Sequence, residues 1–284
     1  KNFIEKRLKP RLVQTGVNIK IAAPDLAYVG YQGSEINRFL PTIQSSAVDL
    51  VAYHMYDSYQ DGMDGSISVL RENSRQIGEI RKKEFPKKGF WMTETTGAQW
   101  NNDLWHTYGW TPQANEFDKA LLAAQYAHMT LVDAGANVFM WWGLIYSLAP
   151  DRETNTKVRE KHRDEGLVLV QEQPGSNGRQ KLIERTKKFF VLKQFINFIP
   201  PGSKRISIQS PEPLLASAYL SKNGKKGVII LINPSNKSIG LDFVLPTQAK
   251  LGNAFQTDRN LNCETIDSGT PLSSHSIRTI LYTK

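Results

Sequence analysis

Through the first half of the chain, four short apolar runs alternate with longer amphipathic stretches. The runs are "NIKIAAPD" (18–25), "VDLVAYHMY" (48–56), "KGFWMTE" (88–94) and "ANVFMWWGL" (136–144). Between the later ones lie "SISVLRENSRQIGEIRKK" (66–83) and "NEFDKALLAAQYAHMTLVDAG" (115–135), whose apolar residues recur at helical spacing; Gly135 closes the second. The runs are apolar almost throughout, the pattern of strands covered on both faces, and strands that alternate with helices at this spacing build a parallel sheet from βα units. Four such units are predicted. Ahead of them Phe3, Ile4, Leu8, Leu12 and Val13 recur at helical spacing up to Gly16. With no initiator Met and no charged-then-apolar leader pattern, the chain is expected to open in the interior of a fold.

After residue 199 the texture changes. "FIPPGSKRI" is a Pro and Gly junction, followed by short β-rich runs: "LLASAYL" (214–220), "KGVIILIN" (226–233), "IGLDFVL" (239–245), "KLGNAFQT" (250–257) and "IRTILYT" (277–283). Turn signals "KNGKKG" and "NPSNKS" fall between them, the mark of an antiparallel sandwich. The predicted division is therefore an α/β domain over 1–199 and a β-sandwich over 200–284.

Composition narrows the function classes. Of 284 residues, 40% are hydrophobic and 22% charged, a globular composition, and no apolar run is long enough to span a membrane as a helix. The surplus of 36 Lys and Arg over 27 Asp and Glu gives +9, which could attract an acidic polymer such as a uronic-acid glycan. It is spread over "RKKEFPKK" (81–88), "VREKHRDE" (158–165) and "KNGKK" (222–226), as on a solvated face, and no nucleic-acid-binding motif accompanies it. Cys263 is the only cysteine, so an internal disulfide is excluded, and the five histidines show no metal-ligand spacing. Neither a metal nor another cofactor is expected.

In parallel α/β folds the functional groups gather where strands end, on the C-terminal side of the sheet. All four runs end in polar or aromatic residues: Asp25, then His54, Tyr56 and Asp57, then Glu94, then Trp141 and Trp142. Asp25 follows Pro24 and reads as a cap for the next segment. Glu94 alone could serve a turn by accepting from the amides of "TTG", and His54 alone could be a core histidine. As a set they describe a cleft with a carboxylate, a polar pair and indole surfaces. Glycoside hydrolysis uses such groups, because an oxocarbenium-like transition state needs a carboxylate beside the anomeric carbon and aromatic faces bind sugar rings.

"FWMTETTG" (90–97) resembles the seventh-strand nucleophile motif of glycoside hydrolase family 30, in the clan of retaining (β/α)8 glycosidases. "VAYHMYD" (51–57) resembles that family's sixth strand, "NVFMWWGLIYS" (137–147) its eighth, and "KKFFVLKQFINFIPPGSKRI" (187–206) its passage from the last helix into the side sandwich. The resemblance implies strands five to eight of a TIM barrel followed by the β-sandwich. Glu94 would be the nucleophile of a secreted or periplasmic retaining β-glycosidase. His54, Tyr56, Trp141 and Trp142 would bind a carbohydrate substrate such as xylan or β-glucan. The family's acid/base Glu ends the fourth strand, which precedes everything present here, and neither Asp57 nor Asp151 matches it. The resemblance therefore implies a partner, the N-terminal half of the barrel, without which the chain is expected to be inactive. A carbohydrate-binding or scaffold protein that keeps the aromatic cleft is the alternative.

Overall fold

The computed structural model describes residues 3–26, 38, 46, 48–55, 67–95, 98–100, 105–107, 116–147, 165–175, 178–245 and 248–284. The chain divides into two compact units, Lys1–Thr111 with Met129–Gly143, and Pro112–His128 with Leu144–Lys284.

The first unit is built on the expected parallel sheet. A π-helical turn, Ile4–Leu8, runs into helix α1 (Lys9–Thr15), which stops at Gly16 in the left-handed conformation (φ 66°). Ile4, Leu8 and Leu12 pack against Ile21, Ala23 and Val48, whereas Phe3 and Val13 of the same helical pattern face solvent. Strands β1 (Ala22–Leu26), β2 (Leu50–His54) and β3 (Gly89–Glu94) lie side by side in parallel. A short hairpin pairs β4 (Ala98–Trp100) with β5 (Trp105–Thr107). Strand β6 (Val138–Phe139) completes a sheet of order β1-β2-β3-β6 among the described residues. Val51, Tyr53, Phe90 and Met92 are fully buried. These continuous apolar runs are the two-sided burial that predicted a parallel sheet.

The outer strands are shorter than the sequence runs. Before β1, the Asp49 carboxylate accepts from the amide of Ile21, and the Asp49 and Leu50 amides donate to the Ile21 carbonyl, so the ladder begins only after Ile21. Beyond Phe139 the chain follows β3 through single bonds, Met140 N to Met92 O and Trp142 N to Thr95 O, and Gly143 takes φ 94°. Trp141 and Trp142 therefore stand just past the strand rather than within it.

Helix α2 (Ile67–Glu84) connects β2 to β3, and helix α3 (Glu116–Val132) precedes β6. The expected limits 66–83 and 115–135 differ from these by a few residues at most. Gly78 of α2 lies directly against the turn after α3: a Cβ there would stand 2.3 Å from the carbonyl oxygen of Asp133. Arg71 reaches the Asp133 carboxylate at 3.6 Å.

In the second unit β7 (Ile145–Ser147) runs parallel to β8 (Val168–Gly175), which forms a hairpin with β9 (Gly178–Arg185). Thr186 then caps α4 (Lys187–Ile196), its hydroxyl oxygen accepting from the Phe189 amide. Strands β10 (Lys204–Ile206), β11 (Leu215–Leu220), β12 (Lys226–Asn233), β13 (Lys250–Thr257), β14 (Asn262–Ile266) and β15 (Ser276–Thr283) make an antiparallel sheet of order β10-β11-β12-β15-β13-β14. Gln194 of α4 donates to Thr257 Oγ1, and Thr279 donates to the Gln194 carbonyl, fastening the helix to β13 and β15. Arg278, buried on β15, donates to Gln256 Oε1 and to the carbonyls of Thr270 and Pro271, so its charge is fully engaged by oxygens.

One expected strand is absent. The run 239–245 makes only the isolated bridge Ile239↔Leu272. Leu241, Phe243 and Leu245 nevertheless pack on the core while Val244 is 99% exposed. The alternation of side chains is real, but among the described residues no neighbouring strand supplies a ladder. Among the described residues no helix is long and apolar enough to cross a membrane.

Candidate active site

Two irregularities in adjacent strand pairs build the site. Between β1 and β2, Pro24 lies opposite Ala52 and Leu26 opposite Tyr53, so Asp25 has no counterpart. Between β2 and β3, Met92 lies opposite Tyr53 and Glu94 opposite His54, so Thr93 is the extra residue. Bulges are rare in parallel pairs and re-aim side chains where they occur. Asp25 adopts the left-handed conformation (φ 58°), which Asp tolerates better than most residues.

The consequence is a row of polar groups across the C-terminal ends of β1, β2 and β3. His54 Nε2 lies 3.5 Å from Asp25 Oδ1, and His54 Nδ1 lies 3.6 Å from Glu94 Oε1. These are ion-pair rather than hydrogen-bond separations. Thr93 donates to Asp25 Oδ1 at 2.6 Å, with the Tyr53 carbonyl at 3.1 Å as the alternative acceptor for the same hydroxyl hydrogen. The central His54 is the least exposed of the row: the side chains of Asp25, His54 and Glu94 are 51%, 17% and 28% accessible. Such pairs add little to stability because solvent screens them; their significance is in where they hold the carboxylate.

The backbone beneath is tightly tied. The Met55 amide donates to the Glu94 carbonyl, the buried Thr95 hydroxyl donates to the Met55 carbonyl, and the Trp142 amide donates to the Thr95 carbonyl. Glu94 thus projects from a strand end fixed on both sides. Trp142 is 53% exposed, an unusual state for an indole, while Trp141 is half-buried. A partly shielded carboxylate beside an imidazole, with an accessible indole on the adjoining segment, can act as a nucleophile or base toward a ligand with an apolar face and hydroxyl groups.

Of the residues singled out from sequence, the structure brings His54 and Glu94 together and puts Trp141 and Trp142 on the segment bonded to Thr95. Tyr56, Asp57, Asp151 and most of the basic run 158–165 lie outside the described residues. Lys82, Lys83 and Lys87, and Lys222, Lys225 and Lys226 of the other basic runs, are exposed, as a solvated face requires. The sequence presents Asp25 as a cap and gives Thr93 no part in the site, yet both contribute to the row. The strand-end position of Asp25 was the available signal; the bulges that aim it are a relation between strands. Among the described residues no three His, Cys, Asp or Glu side chains are grouped so as to hold a metal ion.

No protein-family model matches the chain. It is 25% identical over 190 residues to the glucuronoxylanase XynC of Bacillus subtilis, a match covering 65% of this chain and 35% of that protein. The matches thus take in only about a third of the length of these curated relatives, 35% and 32%. Among solved structures, the catalytic domain of a GH30 xylanase C from Talaromyces cellulolyticus superposes with a TM-score of 0.63 at 18% identity, covering 99% of this chain and 56% of that one. The chain has a family 30-like glycosidase fold. Two further structures agree: a GH30 endoxylanase from Clostridium papyrosolvens C71 (TM-score 0.58, 16% identity, 100% of this chain and 59% of that one) and a conserved exported protein from Bacteroides fragilis (0.70, 18%, 97% and 58%). The resemblance to family 30 is thereby supported by fold and by sequence. In this family 30-like fold the Asp25–His54–Glu94 row lies at the strand ends.

Proposed function

We propose that this chain is the nucleophile-bearing part of a secreted retaining β-glycosidase that cleaves xylan or a related β-glycan. In this reading residues 1–199 supply strands five to eight of a (β/α)8 barrel and residues 200–284 the side sandwich. The observation that carries it is the Glu94 carboxylate, aimed from the end of β3 and flanked by His54, on a fold shared with family 30 xylanases. Glu94 attacks the anomeric carbon as the glycosidic bond breaks, forming a glycosyl ester that water then hydrolyses. A second carboxyl group, roughly 5 to 5.5 Å away, protonates the leaving oxygen and later activates the water. That acid/base belongs to the other half of the barrel, on polypeptide outside these 284 residues. His54 and Tyr56 contact the sugar beside Glu94, and Trp141 and Trp142 supply the apolar surface under it. Xylan is favoured because the curated relative is a glucuronoxylanase, and the +9 charge suits a uronic-acid-bearing glycan. Export is supported by the exported Bacteroides fragilis neighbour.

The alternative, a carbohydrate-binding protein that keeps the aromatic surface, draws on the absence of a second motif carboxylate in this sequence. A panel of xylan, glucuronoxylan, β-glucan and aryl β-glycosides, offered to the full-length protein carrying this chain, separates the two. Turnover abolished by Glu94→Gln supports the enzyme; binding of the glycans without turnover supports the alternative.

A further inference from the structure

We propose that Asp25 is a positioning residue that holds the His54 imidazole against the Glu94 carboxylate, an inference that rests on the glycosidase reading above. Three independent features of the chain converge on it. The register shift in β1–β2 removes Asp25 from the ladder, and the shift in β2–β3 brings Glu94 level with His54. The Asp25 carboxylate is itself anchored, since Thr93, the extra residue of the second bulge, donates to Oδ1 at 2.6 Å. The same Oδ1 lies 3.5 Å from His54 Nε2, while Nδ1, on the other side of the ring, lies 3.6 Å from Glu94 Oε1.

The two ring nitrogens of His54 thus face one carboxylate each, Asp25 on one edge and Glu94 on the other. Asp25, anchored by Thr93, bounds the Nε2 edge of the ring, which leaves the Nδ1 edge facing Glu94. An imidazole anchored in this way is the pattern by which an outer acid orients a histidine toward a reacting group. Without Asp25 the ring loses the carboxylate that bounds its Nε2 edge, and its place beside Glu94 is expected to loosen. Glu94 remains the catalytic residue; Asp25 acts through His54.

The left-handed backbone at Asp25 makes the test clean, because glycine adopts φ 58° without strain and Asp25→Gly removes the carboxylate alone. Asp25→Asn keeps an isosteric acceptor at the same place. The full-length protein is labelled with ¹⁵N-histidine, and the ring nitrogen shifts of His54 are read alongside kcat, KM and the thermal midpoint. Asp25→Gly is expected to change the His54 ¹⁵N pattern and to lower kcat roughly three- to tenfold, the size of one lost polar contact. KM and the melting midpoint should stay near wild type, and Asp25→Asn should recover most of the loss.

An unchanged His54 pattern in Asp25→Gly overturns the proposal, whether or not the protein melts earlier. So does a changed pattern with unchanged kcat. If Glu94→Gln abolishes turnover while Asp25→Gly alters neither observable, Asp25 is a turn residue and the glycosidase reading stands. If the wild-type protein cleaves no glycan, that reading fails, and an altered or unaltered His54 spectrum still decides whether Asp25 holds the ring.

Discussion

Replacing Gly78 with alanine sets two effects of opposite sign against each other. In the middle of α2 the alanine should help, since Gly costs about 1 kcal/mol relative to Ala in a helix interior. Against this, the new Cβ would stand 2.3 Å from Asp133 O and 3.5 Å from Ala134 Cα. Both neighbours are main chain, so no side chain can swing aside. Reaching an ordinary contact near 3.4 Å requires the helix and the turn to separate by about 1 Å, which sacrifices packing on either side. Overpacking of this kind costs roughly 1–3 kcal/mol. The contact should win. We expect Gly78→Ala to be destabilised by up to about 2 kcal/mol net, a fall in Tm of up to roughly 3–4 °C for a protein of this size. Glu79→Ala, at the neighbouring exposed position, should change Tm by less than about 1 °C and reports the propensity effect alone. Thermal unfolding followed by circular dichroism reads both. A Tm for Gly78→Ala equal to or above wild type would refute the reasoning, because the helix and the turn could not then be as close as they are here. The stake is functional, since the Asp133 turn leads into β6 and the tryptophans beyond it.

Other perturbations follow from single residues. Tyr53 is fully buried with no hydrogen-bond partner for its hydroxyl among the described residues, and burial pushes its phenol well above the usual value near 10. A raised folded value contributes stability that is present below pH 10 and lost as pH rises beyond it; urea titrations from pH 8 to 11 should show this loss, and Tyr53→Phe should reduce it while leaving neutral-pH stability unchanged or slightly higher. Tyr219, also raised by burial, adds to the same alkaline limb and should preserve part of it in that variant. Thr186→Ala deletes the α4 cap and should cost about 0.5–2 kcal/mol in chemical denaturation, with Thr186→Ser close to neutral. Trp142→Ala removes a half-exposed indole and should weaken xylo-oligosaccharide binding by roughly two- to tenfold in calorimetry with little change in Tm; unchanged binding would remove Trp142 from the sugar surface.

Much of the fold was legible because burial on both faces writes itself into the sequence. The run 88–94 places β3 to within one residue and 48–56 places β2 to within two at either end, since Leu50–Tyr53 and Phe90–Met92 are buried. At the sheet margins the pattern misled: Asn18–Lys20 looked like strand, but the Asp49 contacts with Ile21 set the start of pairing. The run 239–245 had the right alternation and no partner, and alternation cannot report a partner. The β8–β9 hairpin is not legible because its polar sequence, "VQEQPGSNGRQK", lacks the apolar alternation of a half-buried strand. In the site, Glu94 was legible from its position at the end of a buried run. Asp25 was not, because its role depends on two register shifts in different strand pairs, and a register shift belongs to a pair of strands rather than to either sequence.

The central claim is that Glu94 is the residue that takes the glycosyl group. A 2-fluoro-xylobioside with a good leaving group, incubated with the full-length protein carrying this chain, should trap the glycosyl-enzyme, and peptide mass spectrometry should place one adduct on Glu94. Glu94→Gln should acquire no adduct. An adduct on a different carboxylate, or steady turnover of the same sugar by Glu94→Gln, would contradict the assignment of Glu94 as nucleophile.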